Sequence, residues 1–197
     1  MNLFLIGCVG FAFTMIANPN VLVFSGSTRT ESVNKKLAQE AATVARELGA
    51  RVSVIDLKDY PIPFYDGDLE ANEGMPENAK KLRNLMINSQ AIIIVSPEYN
   101  GTLSAVLKNT IDWASRSEEG GSSRAAFAGK KFAIMSASPG KGGGARGLTH
   151  LRTIIENIGG KVVGKQVALP NAYEPKAFEN SSLKEILREE IGQILQP

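Results

Sequence analysis

Apolar residues follow two rhythms along this chain. In short runs nearly every position is apolar; in longer stretches apolar positions recur every three or four residues. The first kind suits a strand covered on both faces, the second an amphipathic helix. Strand-type runs occupy 21–25 (VLVFS), 51–57 (RVSVIDL), 91–96 (AIIIVS), 131–136 (KFAIMS) and 161–169 (KVVGKQVAL). The first helix opens at the N-cap residue Ser32, runs through Val33, Leu37, Ala41, Val44, Ala45 and Leu48, and closes at Gly49. A second starts near Pro76 and carries Ala79, Leu82, Leu85 and Met86. A third carries Leu103, Val106, Leu107, Thr110, Ile111 and Ala114. The fourth holds Leu148, Leu151, Ile154, Ile155 and Ile158 and stops at Gly159-Gly160; the last spans 181–195. Residues 58–76 and 116–129 are rich in turn formers and read as irregular loops. Five strands alternating with five helices predict an α/β domain with a doubly wound parallel sheet and right-handed crossovers.

Composition narrows the class. A chain of 197 residues with 43% hydrophobic and 21% charged residues suits one domain with a proper core. A net charge of +2 and the lack of any basic run give no support for a nucleic-acid surface. The single cysteine, Cys8, excludes an internal disulfide, and the single histidine, His150, leaves no Cys/His cluster for a metal. Residues 1–17 (MNLFLIGCVGFAFTMIA) are apolar and uncharged. They are short for a membrane span and lack the basic flank of a signal peptide. Residues 1–19 therefore read as an extension outside a domain of 20–197, with Met15 an alternative start. A signal or anchor and a packed extra element are the competing readings.

In open parallel sheets ligands bind beyond the carboxyl ends of the strands, where the strand order switches. Three loops with unusual residues leave such ends: 25–34, 96–102 and 136–147. A strand order of 2-1-3-4-5 would bring them together. The first loop, SGSTRTESVN, is neither a P-loop nor a dinucleotide fingerprint. Its hydroxyls (Ser25, Ser27, Thr28, Ser32), Arg29 and the amides of the following helix suit a phosphate. A plain helix cap explains Ser32 alone, but not the group.

These loops together carry a resemblance. SGSTRTESVN, then SPEYNGTLSAVLKNTIDW, then SASPGKGGGARG resemble the NADPH-dependent FMN reductase family of the flavodoxin-like superfamily, over about 20–169. The resemblance implies the flavodoxin-like order 2-1-3-4-5 and bound FMN, with NADPH or NADH as hydride donor. It implies that Ser27, Arg29, Ser32 and Asn34 hold the phosphate. Pro97, Glu98, Tyr99, Asn100 and Gly101 would run along the isoalloxazine, and Ser136, Ser138, Gly140 and Gly143 would close on its other side. Hydride would pass through FMN to quinone-like or other small acceptors in a ping-pong cycle, with no catalytic acid or base. Loop 58–75, with Tyr60, Phe64 and Tyr65, and loop 116–129 would line the substrate side. A homodimer or homotetramer, contacting through helix 103–114, and a cytoplasmic location complete the expectation. Trp113 is left between core packing and that contact. Lys108 and Asp112 suit a surface or interface ion pair, and His150 a surface or packing residue. The alternative from another class is a flavodoxin-like electron carrier or redox sensor; a carrier of that type would be strongly acidic.

Overall fold

The computed structural model of this protein describes residues 18–196. The expectations for 1–17, including Cys8 and Met15, lie outside them. The elements are β1 (Asn20–Ser25), α1 (Val33–Glu47), β2 (Arg51–Asp56), α2 (Gly67–Glu73), α3 (Glu77–Ile87), β3 (Ala91–Val95), β4 (Glu98–Tyr99), β5 (Thr102–Leu103), α4 (Ala105–Ala114), β6 (Lys131–Ala137), α5 (Ala145–Asn157), β7 (Lys161–Val162), β8 (Val167–Leu169) and α6 (Ser181–Leu195). The main sheet is parallel in the order β2-β1-β3-β6-β7, with β8 also on β6. This is the expected 2-1-3-4-5, with the fifth strand in two pieces.

Alternation along the central strands feeds two cores, one on each face. Val21, Val23, Ile93, Val95 and Met135 pack under α1 and α6. Leu22, Phe24, Ile92, Ile94 and Ile134 pack under α3, α4 and α5. Burial on both faces is why these strands read as continuous apolar runs.

The structure departs from the sequence reading in four places. The expected fifth strand breaks between Val162 and Val167, because Gly164 takes φ +73° and a Cβ there would overlap the Glu190 carboxylate. Glu190 accepts from the Lys165 amide at 2.7 Å, and Arg152 donates to the carbonyls of Val162 and Gly164 at 3.1 and 3.0 Å. Loop 58–76 is not wholly irregular. It contains α2, started by Asp66, whose carboxylate accepts from the amides of Asp68 and Leu69. Helix α4 begins at Ala105 rather than Leu103, since Ser104 caps it by accepting from the Leu107 amide. Helix α5 begins at Ala145, three residues before the first apolar position of its pattern.

Loop 58–66 is pinned to α4. The Asn109 side chain accepts from the Tyr65 amide at 2.8 Å and donates to the Pro63 carbonyl at 2.9 Å. Trp113 Nε1 donates to that carbonyl too, at 2.9 Å, and its ring meets Tyr65 edge-on at 5.0 Å. Trp113 is fully buried, so core packing is the correct reading. Beside it, Arg116 donates to both oxygens of the buried Glu70 at 2.7–3.0 Å, and the Tyr65 hydroxyl donates to the same carboxylate.

Arg116 holds the Glu70 carboxyl below its usual 4.5, against the opposing effect of burial. A lowered folded value means stabilisation that is complete above the unfolded pKa and lost as pH falls through the folded one. Glu70→Gln should therefore cost roughly 1–3 kcal/mol at neutral pH. Urea unfolding across a pH series should show the gap to wild type closing as pH falls below about 4.5.

Candidate functional site

The three loops leave the sheet side by side because each is tied to its neighbour. The amide of Gly26 donates to Val95 O at 2.9 Å, that of Ser96 to Met135 O at 2.8 Å, and that of Ser138 to Leu169 O at 3.1 Å. Gly26 lies hard against α4: Ser104 Oγ donates to its carbonyl at 2.5 Å, and a Cβ would sit 3.0 Å from Leu107 Cβ.

Ser32 occupies the N-cap of α1 with an extended backbone, yet its hydroxyl makes no capping bond, and the first turn has no acid. The first-turn amides have no carbonyl within the helix to bond. Arg29 stands exposed at this end and has no carboxylate partner among the described residues. Contact with Tyr173, and more weakly Tyr99, raises its pKa above the usual arginine value. Arg29, Ser32, Asn34, Tyr99, Ser138 and Tyr173 are among the residues around a cavity of about 60 Å³. Hydroxyl, guanidinium and free amides make a donor set suited to a phosphate monoester. Glu98 also lines the cavity, but its carboxylate is engaged by the Gly147 amide and Arg146.

Several expected residues are placed otherwise than the sequence suggested. The Asn34 side chain donates to Ala137 O and accepts from Ala137 N, each at 2.9 Å and buried, so it joins α1 to the end of β6. Ser27 is buried and accepts from the Arg29 amide at 3.4 Å, shaping the turn. The Ser25 hydroxyl is buried without a partner and lines a different cavity, with Lys35 and Asp56. Thr28 lines a groove against α4.

The stretch 97–101 is a hairpin: β4 pairs antiparallel with β5, and the two-residue connection Asn100-Gly101 takes φ +52° and +82°. Positive φ at both positions is what a type I′ turn needs, and Asn-Gly is its commonest sequence. That signal stands in the sequence, but the segment reads there only as a turn. The hairpin presents Tyr99, 48% exposed. Glu98 turns away from it. Its carboxylate accepts from the Gly147 amide of α5 at 2.8 Å and pairs with Arg146 at 3.4 Å.

In the glycine-rich loop, Ser138 lines the cavity and its hydroxyl accepts from the Gly140 amide at 3.2 Å. Gly143 (φ +60°) is needed for another reason than ring approach: a Cβ would fall 2.8 Å from the Ala168 carbonyl carbon of β8. Ser136 is fully buried beneath Gly144, with no partner for its hydroxyl. His150 is an exposed residue 3.0 Å from Thr102 Oγ1, and Lys108 pairs with Asp112 along α4 at 2.7 and 2.9 Å. Glu98 and Asp112 thus have separate partners and form no acid pair. Among the described residues no His/Cys/Asp/Glu group could hold a metal, and no helix is long and apolar enough to cross a membrane.

The sequence matches the family described as NADPH-dependent FMN reductase over residues 19–174. An NADPH:quinone oxidoreductase of Arabidopsis thaliana is 33% identical over 180 residues, covering 89% of this chain and 87% of that protein. An NAD(P)H-dependent FMN reductase of Pseudomonas aeruginosa is 34% identical over 177 residues, 89% of this chain and 91% of that one. A quinone reductase of Escherichia coli K12 is 34% identical over 166 residues, 81% and 83% of the two chains. Among solved structures, the flavoenzyme NAD(P)H:(acceptor) oxidoreductase FerB of Paracoccus denitrificans superposes with a TM-score of 0.75 at 24% identity. That match covers 90% of this chain and 95% of the other, a likeness of fold. The family match runs past residue 169 and takes in Tyr173, which the sequence reading left outside.

Removing the Asn34 amide would leave the buried N–H and C=O of Ala137 unpaired. Asn34→Ala should destabilise the flavin-free protein by roughly 1–3 kcal/mol, read by chemical denaturation.

Proposed function

This chain belongs to the NADPH-dependent FMN reductase family, and from that membership we propose how its residues serve the reaction. It is an NAD(P)H-dependent oxidoreductase of the FMN/quinone reductase type, with FMN as its cofactor. When bound, FMN supplies the hydride transfer that links NAD(P)H to a quinone-like or other small acceptor, one site serving both in a ping-pong cycle. The observation that carries the binding reading is the open N-terminus of α1, where Ser32 leaves its capping position unused and Arg29 has no carboxylate partner.

The phosphate is held by Arg29, Ser32 Oγ and the first-turn amides, Asn34's among them, with Ser27 shaping the turn. The backbone of 97–101 and the Asn100 side chain meet the ring edge and ribityl chain, and Tyr99 packs beside the ring. Ser138 and Gly140 close the opposite side, over Ser136 and Gly143. No side chain is needed as a general acid or base; the chain binds, orients and limits access of water. Phe64, 75% exposed, stands beside a groove lined by Ala105 and Val106, which supports a homodimer or homotetramer contact through α4. A carrier fits less well, since a net charge of +2 offers no acidic docking field.

Arg29→Ala should weaken FMN binding roughly 10- to 100-fold in a fluorescence titration, the worth of a charge-assisted pair; unchanged affinity would remove Arg29 from the phosphate site. Steady-state oxidation of NAD(P)H with a quinone should give parallel double-reciprocal lines. Intersecting lines would overturn the shared site. A flavin-loaded protein inert with every quinone would leave the electron carrier.

A further inference from the structure

Residues 170–180 read in sequence as a mere link to the last helix, yet the structure fastens them over the site. Ala172 is buried and its amide donates to the Ser138 carbonyl at 3.0 Å. Asn171 turns the chain there with φ +50°. Further on, Phe178 packs into the core under α1, and Lys36 Nζ lies 4.4 Å from its ring centroid. Between these two anchors stands Tyr173, 55% exposed. It lines the cavity that holds Arg29 and Ser32, and also the flank of α1 beside Thr30 and Lys36.

We infer that Tyr173 is a further binding residue at the phosphate end of the cofactor site, where it lines one cavity with Arg29, Ser32 and Tyr99 at the open N-terminus of α1. The inference rests on the proposed FMN site. An exposed arginine without a partner loses much side-chain freedom when it binds an anion. A carboxylate would order it but neutralise its charge and repel phosphate. A tyrosine hydroxyl orders it and leaves the charge intact. The same hydroxyl can accept from the guanidinium and turn its own O–H toward a phosphate oxygen. The raised pKa of Arg29 accords with this placement.

The test is to titrate the full-length chain, freed of flavin, with FMN and with riboflavin, which lacks the phosphate. Tyr173→Leu should weaken FMN roughly 3- to 10-fold, the worth of a hydrogen bond, and leave riboflavin unchanged. Made in an Arg29→Ala background, the same change should have little further effect on FMN, because the two act together. Equal losses for FMN and riboflavin would reduce Tyr173 to a structural residue, and unchanged FMN affinity would overturn the inference. A raised KM for NADPH with unchanged FMN affinity would move Tyr173 to the donor's phosphate and overturn it as stated. If the wild-type chain binds neither flavin, the FMN reading itself fails; a wild type that binds FMN beside an indifferent Tyr173→Leu sinks only the inference. Because Tyr173 is surface-placed, an unchanged melting temperature should accompany the variant.

Discussion

Two hydrogen bonds hold this site in one piece: the Asn34 side chain pairs with the N–H and the C=O of Ala137, 103 residues away. Parallel pairing brings the strand ends to the same edge, but it does not set how α1 sits relative to the end of β6. The buried amide does. A shift of either element would leave several polar groups unpaired in an apolar setting, which is costly. The rest of the site is hung from this joint. Ser138 leaves β6 one residue later, the cavity opens between Ser138 and Ser32, and Ala172 bonds to Ser138 in turn. The proposed phosphate end and ring end of the site share one frame.

The sheet was legible in the sequence, since strands buried on both faces must be apolar throughout and helices between them must be one-sided. Its strand order came from the resemblance, not from periodicity. What escaped notice depends on contacts between distant residues. Gly164 looks like one more small residue in an apolar run, and only Glu190 on α6 shows why the strand breaks there. Helix α2 has too few apolar positions to announce itself and rests on the Asp66 cap and the Glu70–Arg116 pair.

The candidate site was legible as a place more than as a set of contacts. Ser32 and Arg29 stand where a polar loop before a helix would put them. Asn34 occupies the expected position, but its side chain bonds to Ala137, which no local pattern reveals. Gly143 stands in the expected loop for a different steric reason, the nearness of β8. Tyr173 follows the last strand in a stretch without periodicity, so nothing before the fold is known connects it with Arg29.

The pinning of Pro63 and Tyr65 by Asn109 and Trp113 bears on timing. A segment bonded to α4 through two backbone positions is part of the scaffold, with no hinge of its own. Where loop 58–66 borders the substrate side, as the resemblance implies, donor and acceptor would exchange at an open ledge, without waiting for a flap to lift. Discrimination among acceptors would fall to shape and to the potential of the reduced cofactor, a basis for breadth rather than for a single partner.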